Sequence, residues 1–155
     1  ALESTLIIAR TGNGGRPTNN YPDVRREAAL MLGEFKTPEA KDALIRVAMA
    51  DNEPMVVTAA IRSLGKVGIN ENGEVTQTIA IIVNRYDVLL PDNSLAFESL
   101  VAFEALADAQ GGIKDEFVIK AIMKIATGRY ITPVRQKALK LLDKLRSYGS
   151  SGSGK

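Results

Sequence analysis

Three stretches carry residue types at spacings that could do chemistry. Gly149 to Lys155, GSSGSGK, fits the first seven positions of the phosphate-binding loop G-x-x-x-x-G-K. Gly12-Asn13-Gly14-Gly15 begins like a dinucleotide loop. Carboxylates pair at Asp23/Glu27 and at Asp115/Glu116, and paired carboxylates are the material of general acid and base catalysis. Each fails on its context. The terminal loop lacks the Ser or Thr and the helix that must follow it, and no strand precedes it. Pro17 occupies the third glycine position of the second motif, and the next helix is too far away. The carboxylates stand at helix starts, where they complement the helix dipole. They read as a linker, a turn and helix-start acids.

The 155 residues include neither Cys nor His. That removes disulfides, thiolate nucleophiles, imidazole bases and the usual zinc or iron ligands together. Most enzyme classes go with them, so the expectation is a non-enzymatic chain with no cofactor and no metal site. Arg85-Tyr86 and Arg129-Tyr130 remain as a repeated pair of residue types common in interface hot spots. Each pair has a structural reading as well, with Tyr packing and Arg closing the end of a helix.

The elements that must position these side chains follow from one repeated pattern. In Val56 to Val67, VVTAAIRSLGKV, apolar or small residues fall at offsets zero, four, five, eight and eleven: Val56, Ala60, Ile61, Leu64 and Val67. The same offsets select Val24, Ala28, Ala29, Leu32 and Phe35, then Leu95, Ser99, Leu100, Phe103 and Leu106, then Val134, Ala138, Leu139, Leu142 and Leu145. At 100° per residue these positions share one helical face. The anchors are 32, 39 and 39 residues apart, the period of a helix-pair solenoid. The fold class is therefore all-α, an α-solenoid of about four antiparallel helix pairs.

Helix signals divide the chain into one domain, 1–148, with units at about 2–36, 37–68, 73–109 and 113–147. Leu2 to Thr11 reads as the first helix and Gly12 to Asn20 as a long connection. The second helix runs from Pro22 to about Lys36. Thr37-Pro38-Glu39 has the cap, proline and acid of a helix start, and places Ala40, Leu44, Val47 and Ala48 inward. Asp51 to Pro54 ends that helix and opens the fourth, which Gly68 closes. Val75 to Leu90 is β-branched enough for a strand by propensity, yet a lone strand would have no partner, so helix is expected. The sixth runs from Leu95 to Ala109 and is closed by Gly111-Gly112. The seventh runs from Lys114 to Thr127 with Phe117, Ala121, Ile122 and Ile125 inward. Thr132-Pro133 starts the eighth, which ends near Ser147, and 149–155 is a flexible Gly/Ser tail.

The segments PDVRREAALMLGEF (22–35), EPMVVTAAIRSLGKVG (53–68) and TPVRQKALKLLDKL (132–145) resemble the second helix of HEAT repeats, especially the short bacterial type. The matching positions are Pro22, Val24, Arg25, Ala28, Leu32 and Gly33, then Pro54, Val56, Ala60, Leu64 and Gly65, then Pro133, Val134, Arg135, Ala138 and Leu142. The Arg position holds Val57 in unit two and Ala96 in unit three, so no continuous Asp/Arg ladder is expected, and Arg25 and Arg135 are expected to pair only locally. Gly33 and Gly65 inside helices cost about 1 kcal/mol against Ala, for which close helix approach would compensate. Units three and four have Glu104 and Asp143 instead. By resemblance, such proteins are scaffolds that bind macromolecules along the concave surface of the second helices.

The surface opposite the core on those helices falls at offsets two, six and ten. It reads Arg26, Leu30, Glu34, then Thr58, Arg62, Lys66, then Phe97, Val101, Ala105, then Gln136, Lys140, Lys144. An apolar row thus lies between basic ones, unless the 69–72 or 88–93 connection folds over it. The leading reading is a protein-protein interaction scaffold gripping a partner segment with apolar and acidic residues. Its candidate binding residues are Arg62, Lys66, Phe97, Val101, Lys140 and Lys144, with Arg85, Tyr86, Arg129 and Tyr130 on the rim. The alternative is nucleic-acid binding by the basic C-terminal part. Residues 1–113 hold ten Lys and Arg against fifteen Asp and Glu, a net −5, while 114–155 hold ten against three, a net +7. No apolar run approaches the length of a membrane span. The chain begins at Ala1 without Met, so a processed or excised N-terminus is expected, which leaves periplasmic, secreted and cytoplasmic locations open.

Overall fold

The computed structural model describes residues 21–151. The expected first helix at Leu2 to Thr11, the connection after it and residues 152–155 lie outside the described residues. Within them the chain forms α1 (Pro22–Leu32), α2 (Pro38–Ala50), α3 (Pro54–Val67), α4 (Glu74–Leu89), α5 (Asn93–Gln110), α6 (Glu116–Thr127) and α7 (Thr132–Ser151). No strand occurs among the described residues.

The helix boundaries have local causes. Proline opens α1, α2 and α3, where its missing N–H costs nothing. The Thr37 hydroxyl accepts from Ala40 N at 3.2 Å, Asp92 Oδ1 from Leu95 N at 2.9 Å and Asp115 Oδ1 from Phe117 N at 2.8 Å. Gly68 closes α3 at φ 75°, a left-handed conformation that glycine adopts without strain. The β-branched run is helical because Val75, Ile79, Ile82 and Val83 all lie buried on one face of α4, and that burial overrides strand propensity. Two ends differ from the sequence expectation. α1 stops at Leu32, so Gly33 is its C-cap instead of an interior residue. α7 continues through Gly149 to Ser151, so part of the expected tail is helical.

α1, α3, α5 and α7 stack side by side in one layer. The second layer holds α2, α4 and α6, with α2 packed on α3, α4 on α5 and α6 on α7. This is an α-solenoid. Its core is continuous and contains Val56, Ala60, Ile61, Leu64 and Val67 of α3 and Leu95, Ser99, Leu100, Phe103 and Leu106 of α5, all buried. The repeated offsets therefore face inward in the two central units. At the ends they do so only in part. Val24, Phe35 and Leu139 are exposed, because no described helix packs on that side of α1 or α7. Phe117 is exposed too, and the next residue, Val118, fills the core in its place.

The glycines mark close approach between neighbouring helices. A Cβ on Gly65 would stand 2.7 Å from Ala102 Cα and 2.9 Å from its Cβ, and one on Gly33 would stand 2.7 Å from Ser63 Oγ. Glu104, at the equivalent place in α5, instead accepts from Lys137 and Lys144 of α7, each at 3.1 Å. The sequence expectation for Arg25 is corrected. Its Nε donates to Asp51 Oδ2 at 2.8 Å and its Nη2 to Oδ1 at 3.3 Å, joining α1 to the loop after α2 through a buried pair. The reach is across units because Asp51, which also accepts from Glu53 N, sits where α2 turns into α3. Arg135 does stay local, donating to Thr132 Oγ1.

Candidate partner-binding groove

The odd-numbered helices border an open groove of about 730 Å³. α1 contributes Arg26 and Leu30, and α3 contributes Met55, Thr58, Ala59 and Arg62 behind Pro54. Asp92 to Ser94, Phe97 and Glu98 come from the start of α5. Ile131, Pro133 and Val134 close the far side at the start of α7. An open groove with apolar side chains and a few charged groups suits a peptide-like occupant better than an enclosed small molecule.

Helix packing fixes the geometry. Phe97 is 40% exposed, with Lys137 Nζ 5.5 Å from its ring centroid, inside the range of a cation–π contact. Asn93 Oδ1 accepts from Ile131 N at 2.9 Å, tying the start of α5 to that of α7. Arg62 is exposed and forms no ion pair or hydrogen bond with the described residues.

The sequence-predicted residues do not form one surface. Arg62 and Phe97 line the groove. Val101 lies one turn beyond Phe97 and is half-buried, and Lys140 is exposed without a partner among the described residues. Lys66 is paired with Glu34. Lys144 bridges Glu104 at 3.1 Å and Asp108 at 2.9 Å. The Asp108 carboxylate, bonded first by the Tyr148 hydroxyl and then by Lys144, is held below the usual carboxylate range, and its bond and that to Glu104 hold Lys144 above the usual lysine range.

The rim pairs also divide. Tyr130 is buried, and its hydroxyl donates to Asp87 at 2.8 Å, so burial and that carboxylate push its pKa up. Tyr86 is half-buried against the core, and burial raises its pKa as well. Arg85 is exposed and donates weakly to Met49 O at 3.4 Å, while Arg129 is exposed without a partner among the described residues. Tyr130 therefore ties the connection before α7 to α4, Tyr86 packs on the core, and only the arginines face outward.

Sequence reasoning missed Met55, Asp92, Glu98 and Ile131. Met55, Asp92 and Ile131 stand within the first turn of a second helix or just before it, where the proline or cap that starts each helix was the available signal, and Glu98 follows in the second turn of α5. It also missed Val88, Leu89 and Leu90, at the end of α4 and just after it, which are 75–78% exposed. Of the expected 88–93 connection, Val88 and Leu89 belong to α4 and Asn93 to α5; Asp92 and Asn93 line the groove, and Phe97 stays exposed.

Residues 18–85 match the family model described as HEAT repeats. Over these residues the chain is similar to HEAT repeats. Searches of curated proteins and of solved structures returned no match. HEAT repeats are generally protein-interaction scaffolds and typically non-enzymatic, in keeping with the extended surfaces that stacked helix pairs create. Among the described residues no helix is long and apolar enough to cross a membrane.

Proposed function

We propose that this chain is a non-enzymatic scaffold that holds a segment of a partner protein on the concave face of its second helices, in the groove between α1 and α7. The observation that carries the reading is the combination of exposed Phe97 and the unpaired Arg62 in one groove with Leu30, Met55 and Ile131. Apolar burial supplies affinity at about 25 cal/mol per Å² removed from water, and the arginine steers and orients a carboxylate. Lys66, Lys137 and Lys144 are engaged by acids of the same chain, which lowers the positive field that a nucleic-acid phosphate would meet.

The test places a photo-crosslinking amino acid at position 97 and, as control, at exposed position 120. A protein crosslinked at 97 and absent from the control is then purified and titrated against the wild type and Phe97→Asp. Loss of binding in the variant, with unchanged helix content, supports the groove. Equal binding by both moves the site elsewhere. Salt-dependent binding of unrelated DNA duplexes, with no protein captured, would replace the reading with nucleic-acid recognition.

A further inference from the structure

We propose that the groove is read in one direction, taking a protein segment with a carboxylate at the α1–α3 end, apolar side chains across Met55 and Phe97, and a basic group at the α5 end. This rests on the groove reading above and goes beyond it, because a uniformly acidic segment does not satisfy the charges present. The cationic side chains lining the groove, Arg26 and Arg62, come from α1 and α3. Its carboxylates, Asp92 and Glu98, come from the cap and first turns of α5. The helices stack in chain order, so the sign of charge changes along the groove from positive to negative.

The four charges are not equally open. Arg62 and Glu98 form no ion pair or hydrogen bond with the described residues, and each can accept an incoming partner without giving up a bond. Arg26 is already bonded to Glu27, and one Asp92 oxygen caps α5, so these two reinforce the field more than they offer contacts. A segment bound in reverse sets its acid against Glu98 and its base against Arg62. Like charges brought together disfavour that register, and discrimination of this kind works through repulsion as much as attraction.

A displayed library of random twelve-residue peptides, selected on the full chain, tests this. Selected peptides are made synthetically and titrated by fluorescence anisotropy against wild type, Phe97→Asp, Arg62→Glu and Glu98→Lys. The expected peptides carry an acid and a base flanking apolar residues and lose binding to Phe97→Asp. Each charge reversal weakens them about tenfold, as when an exposed attraction becomes a repulsion. Replacing the peptide acid by Lys restores binding to Arg62→Glu but not to Glu98→Lys. Should Arg62→Glu lose helix content, Arg62→Ser is used, with about a threefold loss expected. Peptides that need Phe97 yet respond to neither reversal overturn the directional reading and leave the groove standing. Peptides indifferent to Phe97→Asp overturn both.

Discussion

Replacing Gly65 by Ala sets two effects of known size against each other. Alanine is favoured over glycine in a helix interior by about 1 kcal/mol, so on an isolated helix the change stabilises. In the solenoid the new Cβ would stand 2.7 Å from Ala102 Cα and 2.9 Å from Ala102 Cβ, about 1 Å inside ordinary carbon contact. One of those atoms is backbone, so no side-chain rotation relieves the overlap. α3 and α5 must separate, which loosens Leu64 and Phe103, both fully buried. Overpacking costs about 1–3 kcal/mol, and the upper half applies where backbone has to move. The expected net loss is about 1–2 kcal/mol, after subtracting the helix-propensity gain. Urea unfolding followed by circular dichroism measures it, with an unchanged m-value required for the comparison. A gain in stability would show that propensity wins and that α3 and α5 are not held at this distance.

Three further outcomes follow. Leu64→Ala is expected to lose about 2–5 kcal/mol in the same assay, the range for a buried Leu truncated in a core, and a loss under about 1 kcal/mol would mean that the residue is not central to the core. Tyr130→Phe removes the hydroxyl bonded to Asp87 and is expected to lose about 1 kcal/mol; an unchanged midpoint would show that the bond adds nothing to the ring's burial. The Glu104 carboxyl is held below its ordinary value of 4.5 by Lys144 and then Lys137. A group with a depressed folded pKa contributes stability above its unfolded value, which is lost as pH falls through the folded one. Unfolding curves below pH 4.5 should therefore fall less steeply for Glu104→Gln than for wild type, and parallel curves would refute the coupling.

The repeat architecture was legible because it depends on which face of each helix is apolar, and periodicity states that directly. The central units obeyed it closely, with Leu64 and Phe103 inside as their offsets required. Val24 and Leu139 carry the same offsets and are exposed, since an offset specifies a face but not whether a neighbour covers it. The candidate site was less legible for a related reason. Which charges remain open depends on the register between successive helices, and no single helix encodes that. Lys66 and Lys144 occupy surface offsets like that of Arg62, yet Glu34, Glu104 and Asp108 come opposite them. Arg62 meets no such acid and keeps its charge available.

The exchange of glycine for Glu104 links the packing of the stack to its groove. Where Gly33 and Gly65 stand, the missing side chain lets neighbouring helices approach closely, against Ser63 and Ala102. At Glu104 the same position carries a carboxylate, and the α5–α7 seam holds Lys137 and Lys144 at 3.1 Å, both partly exposed. Interactions between exposed charges weaken as ionic strength rises. Lys137 also lies over the Phe97 ring at 5.5 Å, so the carboxylate that anchors the lysine also places the cation beside the groove's aromatic side chain. The groove therefore has two unlike walls. On the α1–α3 side close packing at Gly33 stands beside the exposed Lys66–Glu34 pair, whereas on the α5–α7 side the ion-pair cluster itself holds the lysine that lies over Phe97. Salt therefore screens pairs on both walls, and on the α5–α7 wall the screened lysine is the one over Phe97.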